Sequence, residues 1–376
     1  MDLKNLFFRT VGDAVGRSYG LVDNEHYIHE GVRWLMRAQD IAGDGGVSAQ
    51  YSLFHGWDGS YIETTGYILE TFFTAAQKYR NAEYKKRAVR MADFLVRVQL
   101  SSGAFQSGTP QDLPAVPRVF NTGEDIRGLI TAYEKTGGKQ YLKAARKAAD
   151  WLISIQEKDG SWIQHEFQNR KHAYHSRTAW ALLRVWQATK EKTYRQAAEK
   201  NLRWVVSKQQ KNGWFSECDF TTPKWPFTHA IDYTMSGFLA SSRILKNATH
   251  WKAGKTCADA LLRYYAAHHA FMPATFTAQW KSSDTYTCLT GDAQIAYTWL
   301  MVFQETHDQK YLKYAVKLLD DIKKTVDVST EDLNIRGAVA GAFPHYGGYS
   351  RWNYPNWATK FFVDACMILE ECQKVQ

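Results

Sequence analysis

Trp151-Leu152-Ile153-Ser154-Ile155-Gln156-Glu157-Lys158-Asp159-Gly160-Ser161-Trp162 is the stretch on which the fold turns. It reads as the end of a helix, a glutamine, and a glycine turn that reverses the chain. The same element recurs as Trp34-Leu35-Met36-Arg37-Ala38-Gln39, Phe94-Leu95-Val96-Arg97-Val98-Gln99 and Trp204-Val205-Val206-Ser207-Lys208-Gln209. Weaker copies start at Leu261 and Leu318, so the starts are 60, 57, 53, 57 and 57 residues apart. A fixed period of this size marks a repeat architecture in which neighbouring units share one core.

Ahead of the quoted stretch lies Tyr141-Leu142-Lys143-Ala144-Ala145-Arg146-Lys147-Ala148-Ala149-Asp150. Its apolar residues fall at i, i+3, i+4 and i+7, with charges on the other face, which predicts a half-exposed helix. A second, more apolar helix is expected after each turn, as at Thr122 to Thr136, Arg177 to Thr189, Tyr233 to Leu245 and Thr290 to Thr306. Thr64, Thr122, Thr178, Thr234 and Thr290 near these starts are expected to cap backbone N–H groups. Six such pairs, beginning near 24, 81, 138, 192, 248 and 308, predict an all-α protein: an (α/α)6 toroid, one domain over 1–376. The last inner helix, about Asn356 to Gln373, closes the ring on the first, and residues 1–22 are expected to pack across the barrel.

Composition agrees with a globular chain. Of 376 residues, 45% are apolar and 23% charged, and no window resembles a membrane span. The beginning, Met1 to Arg9, has no long apolar stretch or cleavage site, so a cytoplasmic location is expected. The five cysteines form no CxxC pair, which argues against a disulfide framework or structural zinc. No cofactor or metal is expected. The net charge of +9 favours acidic partners in general. The basic residues are spread along outer helices without a nucleic-acid motif, so no nucleic-acid role is expected, while peripheral membrane association stays open. Lys85-Lys86-Arg87, Lys323-Lys324 and His268-His269 read as solvated faces.

This topology gathers the long turns before the inner helices on one rim, and those turns hold the unusual residues. Glu63, beside Tyr61, suits an acid, a base or a hydroxyl ligand, and equally a partner for the helix dipole. His175 suits proton transfer and Arg177 carboxylate binding, with rim salt bridging as the plainer role. His229, Asp232 and Tyr233 form a third cluster, for which a hydrogen-bonded core histidine is the plainer role. His55, Trp57, Glu124, Asp284, Tyr346, Arg351 and Tyr354 complete the candidates, with packing as the alternative for each aromatic. The converging helix N-termini favour an anionic ligand there.

The Trp-Leu-x-x-x-Gln…Asp-Gly-Ser-Trp element at 151–162 resembles the repeat of squalene cyclases and protein prenyltransferase subunits. The Asp-rich acid motif of the cyclases and the zinc triad of the prenyltransferases are absent, so this resemblance implies the helical toroid. The rim resembles the carbohydrate-active (α/α)6 group of polysaccharide lyases, uronyl hydrolases, 2-epimerases and glucuronyl C5-epimerases. Ser60-Tyr61-Ile62-Glu63-Thr64-Thr65-Gly66-Tyr67 is similar to a helix start in the C5-epimerases. Tyr349 to Phe362 and Phe227 to Gly237 also resemble proteins encoded with bacterial surface-polysaccharide enzymes. These resemblances imply a lyase or epimerase that abstracts a proton at a uronyl residue of an acidic glycan. His175, His229 or Tyr233 would be the acid or base, Arg177 or Arg351 would neutralise the carboxylate, and Glu63 would position a hydroxyl. The alternatives are an inverting glycoside hydrolase pairing Glu63 with Asp232, Asp284 or Glu124, an isoprenoid-handling toroid, and a non-catalytic glycan-binding protein.

Overall fold

The computed structural model describes residues 3–14, 16–220, 224–268 and 271–374. Helix α1 (Leu3–Ala14) precedes six outer helices: α2 (Asn24–Ala42), α4 (Ala82–Val98), α6 (Lys139–Ser154), α8 (Lys192–Val206), α10 (Ala248–Ala267) and α12 (Gln309–Lys323). They alternate with six inner ones: α3 (Ile62–Lys78), α5 (Val119–Thr136), α7 (Ser176–Thr189), α9 (Thr228–Leu245), α11 (Leu289–Thr306) and α13 (Asn356–Gln373). Each inner helix packs on the next, α13 returns to α3, and α2 packs on α13, which closes an (α/α)6 toroid.

Burial follows the pattern in the sequence. On α6 the buried residues are Tyr141, Ala144, Ala145, Ala148, Ala149 and Leu152, a single face. On α9 every residue from Thr228 to Ser242 is buried, because that helix is enclosed by neighbours all round. Helix α13 runs over Asn356–Gln373 as expected, α7 and α11 start one residue early and α5 three, while α9 begins five residues sooner, being enclosed from its first turn.

The repeated glutamines explain the period. Gln39, Gln99, Gln156 and Gln209 each donate through Nε2 to two carbonyls: the turn glycine of their own unit and a residue of the next outer helix. For Gln156 these are Gly160 and Ala197, both at 3.0 Å. Gly160 takes φ +93, and a Cβ there would lie 2.5 Å from the Lys200 carbonyl, so only glycine fits the turn against its neighbour. One amide thus locks turn to helix and unit to unit. Tyrosine–aspartate bonds between outer helices, such as Tyr141 to Asp93 (2.7 Å) and Tyr194 to Asp150 (2.8 Å), add a second tie.

The threonines do not cap the inner helices; none of the six starts carries a side-chain cap. The next rim loop does this work through its backbone. Ile62 N donates to Gly108 O, Val119 N to His165 O, Thr228 N to Ala274 O, Leu289 N to Gly341 O and Asn356 N to Ala49 O. Just ahead of α7, Ala173 N donates to Glu217 O. The hydroxyls pin loops instead, as where Thr122 Oγ1 accepts from Phe105 N. Around the whole rim, each loop therefore caps the helix of the unit before it.

Short strands stitch the loops further. β1 (Gln50–Ser52) pairs with β2 (Gly56–Trp57) and with β5 (Asn353–Pro355), joining the first loop to the last. β3 (Thr287–Cys288) pairs with β4 (Ala342–Phe343). The N-terminal segment lies at the side of this rim rather than across the barrel: Asp13 accepts from His345 N, and Tyr19 N donates to Lys324 O. Arg87, expected on a solvated face, is buried and bonded to Asp40, Glu83 and the Met36 carbonyl, because α4 turns it toward α2. Lys323 is likewise buried, over the Tyr27 ring. His268 is exposed, and His269 lies outside the described residues. The five cysteines are buried and unbridged. No helix among the described residues is long and apolar enough to cross a membrane.

Candidate active site

The rim loops surround a cavity of about 290 Å³ at the inner-helix N-termini. Tyr61, Glu63 and Tyr67 enter it from the start of α3, Arg118, Phe120 and Asn121 from that of α5, and His229 and Tyr233 from α9. Glu166, Tyr174, Phe220 and Tyr349 come from the connecting loops, and Trp357 from the start of α13. In a ring of six, α3 and α9 stand opposite one another, so Glu63 and His229 approach from opposite sides.

Glu63 makes no hydrogen bond or ion pair among the described residues. Burial among rings, with the Glu124 charge beneath, pushes its carboxyl up to about 8, against a smaller opposing pull from Arg177. It is therefore mostly protonated at neutral pH. His229 is its converse. Desolvation takes its imidazole down to about 3, because its ring sits among Phe220 (5.5 Å), Phe227 (5.8 Å) and Tyr349 (4.9 Å). The phenols of Tyr61, Tyr67, Tyr174, Tyr233 and Tyr349 are all raised, first by burial, so they remain O–H donors.

Glu166 is a second carboxyl in the same wall. His175 Nε2 lies 3.1 Å from its Oε2, and the Tyr174 hydroxyl donates to that oxygen at 3.4 Å, while Oε1 has no partner. Arg118 Nη1 donates to the Glu166 carbonyl at 2.8 Å, which holds the guanidinium against the cavity. His175 itself sits one layer behind, its Nδ1 3.1 Å from Thr178 Oγ1.

The floor consists of charges already paired. Arg177 donates to Glu124 twice, at 2.8 and 2.6 Å, and Arg127 donates to Glu124 at 2.7 Å. Burial raises the Glu124 carboxyl, but the two guanidiniums more than offset this and hold it below its ordinary value. The Arg177 guanidinium lies 4.8 Å from the centre of the Tyr233 ring, and Phe361 packs between Tyr67 (5.4 Å) and Tyr233 (6.2 Å). Beyond this septum, at the other mouth of the ring, lies a larger cavity of about 540 Å³ that Arg177 and Asp232 help to line.

Of the residues singled out in the sequence, Tyr61, Glu63, His229 and Tyr233 meet in the rim cavity. Arg177, Glu124 and Asp232 do not reach it. They lie a helical turn or more deeper, and Glu124 is consumed by its two arginines. The remaining candidates stand outside the cavity. Trp57 packs on Trp34 and Tyr51 and donates to Asn334 Oδ1. His55 is exposed beside Asp58, and Asp284 holds Thr275 through its backbone N–H and hydroxyl. Tyr346 lies exposed against Trp352, Arg351 is exposed, and Tyr354 is buried beside His345. Arg118, Glu166, Tyr174, Phe220, Tyr67, Tyr349 and Trp357 were not foreseen as site residues. Tyr174, Tyr349 and Trp357 lie in the long turns expected at this rim, and Tyr67 lies four residues after Glu63 on the same helix face.

Fold and cavity together define a helical-toroid protein with an aromatic, acid-bearing rim pocket. A sequence profile of the squalene–hopene cyclase C-terminal domain matches residues 57–240, just under half of the chain. A lanosterol synthase of Aspergillus fumigatus is 26% identical over 204 residues, covering 50% of this chain and 24% of that protein. A squalene–hopene cyclase of Bradyrhizobium diazoefficiens is 30% identical over 113 residues, covering 28% and 17%. The aligned stretches thus span a quarter or less of these curated relatives. Among solved structures, an unsaturated glucuronyl hydrolase specific for heparin superposes with a TM-score of 0.72 at 16% identity, covering 94% of this chain and 99% of that one. A cellobiose 2-epimerase from Spirochaeta thermophila (0.71, 15%, 94% and 98%) and a D-mannose isomerase (0.71, 15%, 94% and 100%) are equally similar. At such identities the likeness shows the fold: an (α/α)6 toroid over nearly the whole chain.

Proposed function

We propose that this chain, acting as one domain over 1–376, is a carbohydrate-active enzyme that moves protons at a sugar carbon next to a carboxylate or carbonyl. The observation that carries this reading is the opposition of Glu63 and His229 across one small cavity, the first mostly protonated and the second neutral at pH 7. Burial keeps both groups uncharged, so the carboxyl holds a proton to give and the imidazole a lone pair to accept one. Removing a proton on one face and delivering one on the other inverts a carbon, which is epimerisation. Removal followed by loss of the β-substituent is elimination.

The remaining groups fit these roles. The phenols of Tyr61, Tyr67, Tyr233 and Tyr349 can donate to an enolate oxygen. Arg118 is the cation available to a uronate carboxylate, in place of Arg177 or Arg351. Glu166, positioned by His175 and Tyr174, can accept a sugar hydroxyl, and Phe120, Phe220 and Trp357 offer apolar faces to a pyranose ring. The glucuronyl hydrolase, epimerase and isomerase that share the fold support a sugar substrate. The cyclase matches lie on the repeats whose Gln–Gly ties are packing elements, and support the chemistry less.

A second reading rests on Glu63 and Glu166 lining one cavity, since two carboxyls suit an inverting glycoside hydrolase. Glu166 then takes the place of Asp232, Asp284 and Glu124 as the facing carboxylate. Incubation with uronate-containing and neutral oligosaccharides in deuterated water separates the two. Deuterium at a sugar carbon, or an unsaturated-uronate absorbance band, lost in Glu63→Gln and His229→Phe, is the expected result. Cleavage without either signal assigns the hydrolase. Neither turnover nor exchange with any sugar, alongside turnover of a polyprenyl substrate, overturns both.

A further inference from the structure

The larger cavity lies at the mouth opposite the rim, where the short inner-to-outer turns leave the ring open. Its volume of about 540 Å³ is that of a small-molecule site. Its wall is built from charges balanced against one another. Arg127 is paired with Glu70 and Glu124, Lys360 with Asp364 and Arg184 with Glu134. Such a wall carries little net charge to attract an ion, but it presents donors and acceptors side by side.

Two side chains in it are not used up. Gln294, on α11 and 1% exposed, has no amide hydrogen bond of full geometry, its one polar neighbour being the Tyr233 phenol. A buried primary amide this poorly satisfied is costly, so it points to a ligand that supplies both a donor and an acceptor. Asp232, on the neighbouring α9, accepts from Thr298 Oγ1 at 2.8 Å, with the Ser236 hydroxyl as its other side-chain partner. Ser236, one turn along α9, brings a hydroxyl that already meets Arg177 Nη1 at 3.3 Å. Trp180, Tyr297 and Phe361 supply ring surface in the same chamber.

We propose that this chamber is a second binding site, for a neutral polyhydroxylated molecule of mono- or disaccharide size, held by Gln294 and Asp232. Each hydroxyl of such a ligand donates and accepts at once, which matches a poorly satisfied amide beside a carboxylate. The one lining lysine without a carboxylate partner among the described residues, Lys135, is exposed at the mouth and bonded to Gln77, so an anion seated beside Gln294 would need a cation released from its pair. The septum of Arg177, Glu124, Tyr233 and Phe361 separates this chamber from the rim cavity, so the assignment does not depend on the rim chemistry.

The test is calorimetric titration of the full chain with glucose, cellobiose, glucuronate and inorganic phosphate. It is repeated on Gln294→Leu, Asp232→Asn and the rim variant Tyr349→Phe, with thermal melts to confirm folding. Saturable binding of glucose or cellobiose, weakened at least about 10-fold by Gln294→Leu and Asp232→Asn and kept in Tyr349→Phe, is expected for two lost hydrogen-bonding groups. Absence of saturable binding by either neutral sugar, binding only of glucuronate or phosphate, or weakening only in Tyr349→Phe would each overturn the assignment. Should Asp232→Asn fail to fold, Gln294→Leu alone decides, because it removes only the weak contact with Tyr233.

Discussion

The two mouths of the ring are built from the same six helices and solve opposite electrostatic problems. At the N-terminal mouth an acid stands alone among rings, and its proton is held by desolvation. At the C-terminal mouth arginines and carboxylates are gathered into pairs and their charges persist despite burial. A group poised to exchange a proton has to lack a strong partner. A group that holds structure together has to have one. Charged residues therefore fall into two kinds in this fold, paired ones that hold structure and a lone acid that is free to exchange a proton.

The sharpest way to break this comparison is Glu124→Ala. Arg127 and Arg177 would be left buried without their shared counter-charge, and a loss of about 3–5 kcal/mol is expected in denaturant unfolding. A loss under about 1 kcal/mol would remove the distinction between the mouths. Glu63→Gln should do the reverse. Stability should change little, because glutamine mimics the protonated acid, while catalysis of exchange at the sugar carbon should fall by about 10²–10⁴-fold.

The pH dependence sharpens the contrast further. Glu63 binds its proton more tightly in the fold than in the unfolded chain, so between roughly pH 4.5 and 8 the folded state carries the extra proton and stability falls as pH rises. His229 acts in the other direction at lower pH. Unfolding protonates it between about 3 and 6.5, so there stability rises with pH. Melting temperatures of the parent should fall from about pH 6.5 to 8 while those of Glu63→Gln stay flat, and below about pH 6.5 the variant should show the steeper rise, since His229 then acts unopposed. Turnover that needs the protonated acid should decline above about pH 8. The smallest effect is expected for Arg184→Ala at the outer edge of the C-terminal mouth. Its pair with half-exposed Glu134 is solvent-screened and worth about 1 kcal/mol or less in the same unfolding assay.

Glu63 and His229 were readable as candidates because they fall just ahead of or within apolar inner helices, where polar residues stand out. Glu166 was not, since nothing in the stretch His165-Glu166-Phe167 distinguishes it from any loop acid until Tyr174 and His175 fold back onto it. Arg177 and Asp232 were misplaced for a related reason. Each residue advances a helix by about 1.5 Å, so with α9 starting at Thr228 rather than Tyr233, Asp232 lies within the helix instead of ahead of it, and Arg177 is drawn to Glu124 by two bonds.

Architecture was legible from sequence because it rests on local, repeated chemistry. A glutamine, a glycine with positive φ and a period near 57 residues specify one helical hairpin and its neighbour, and six of these close a ring. Site composition was decided in three dimensions. Each rim loop caps the preceding unit's inner helix through backbone bonds that any sequence can make, so their pattern leaves no trace in residue type. Whether an acid is lone or paired depends on partners 50 or more residues away, as with Arg177 and Glu124. Sequence periodicity sets which face of a helix is buried; only packing of all six units sets what each buried charge meets.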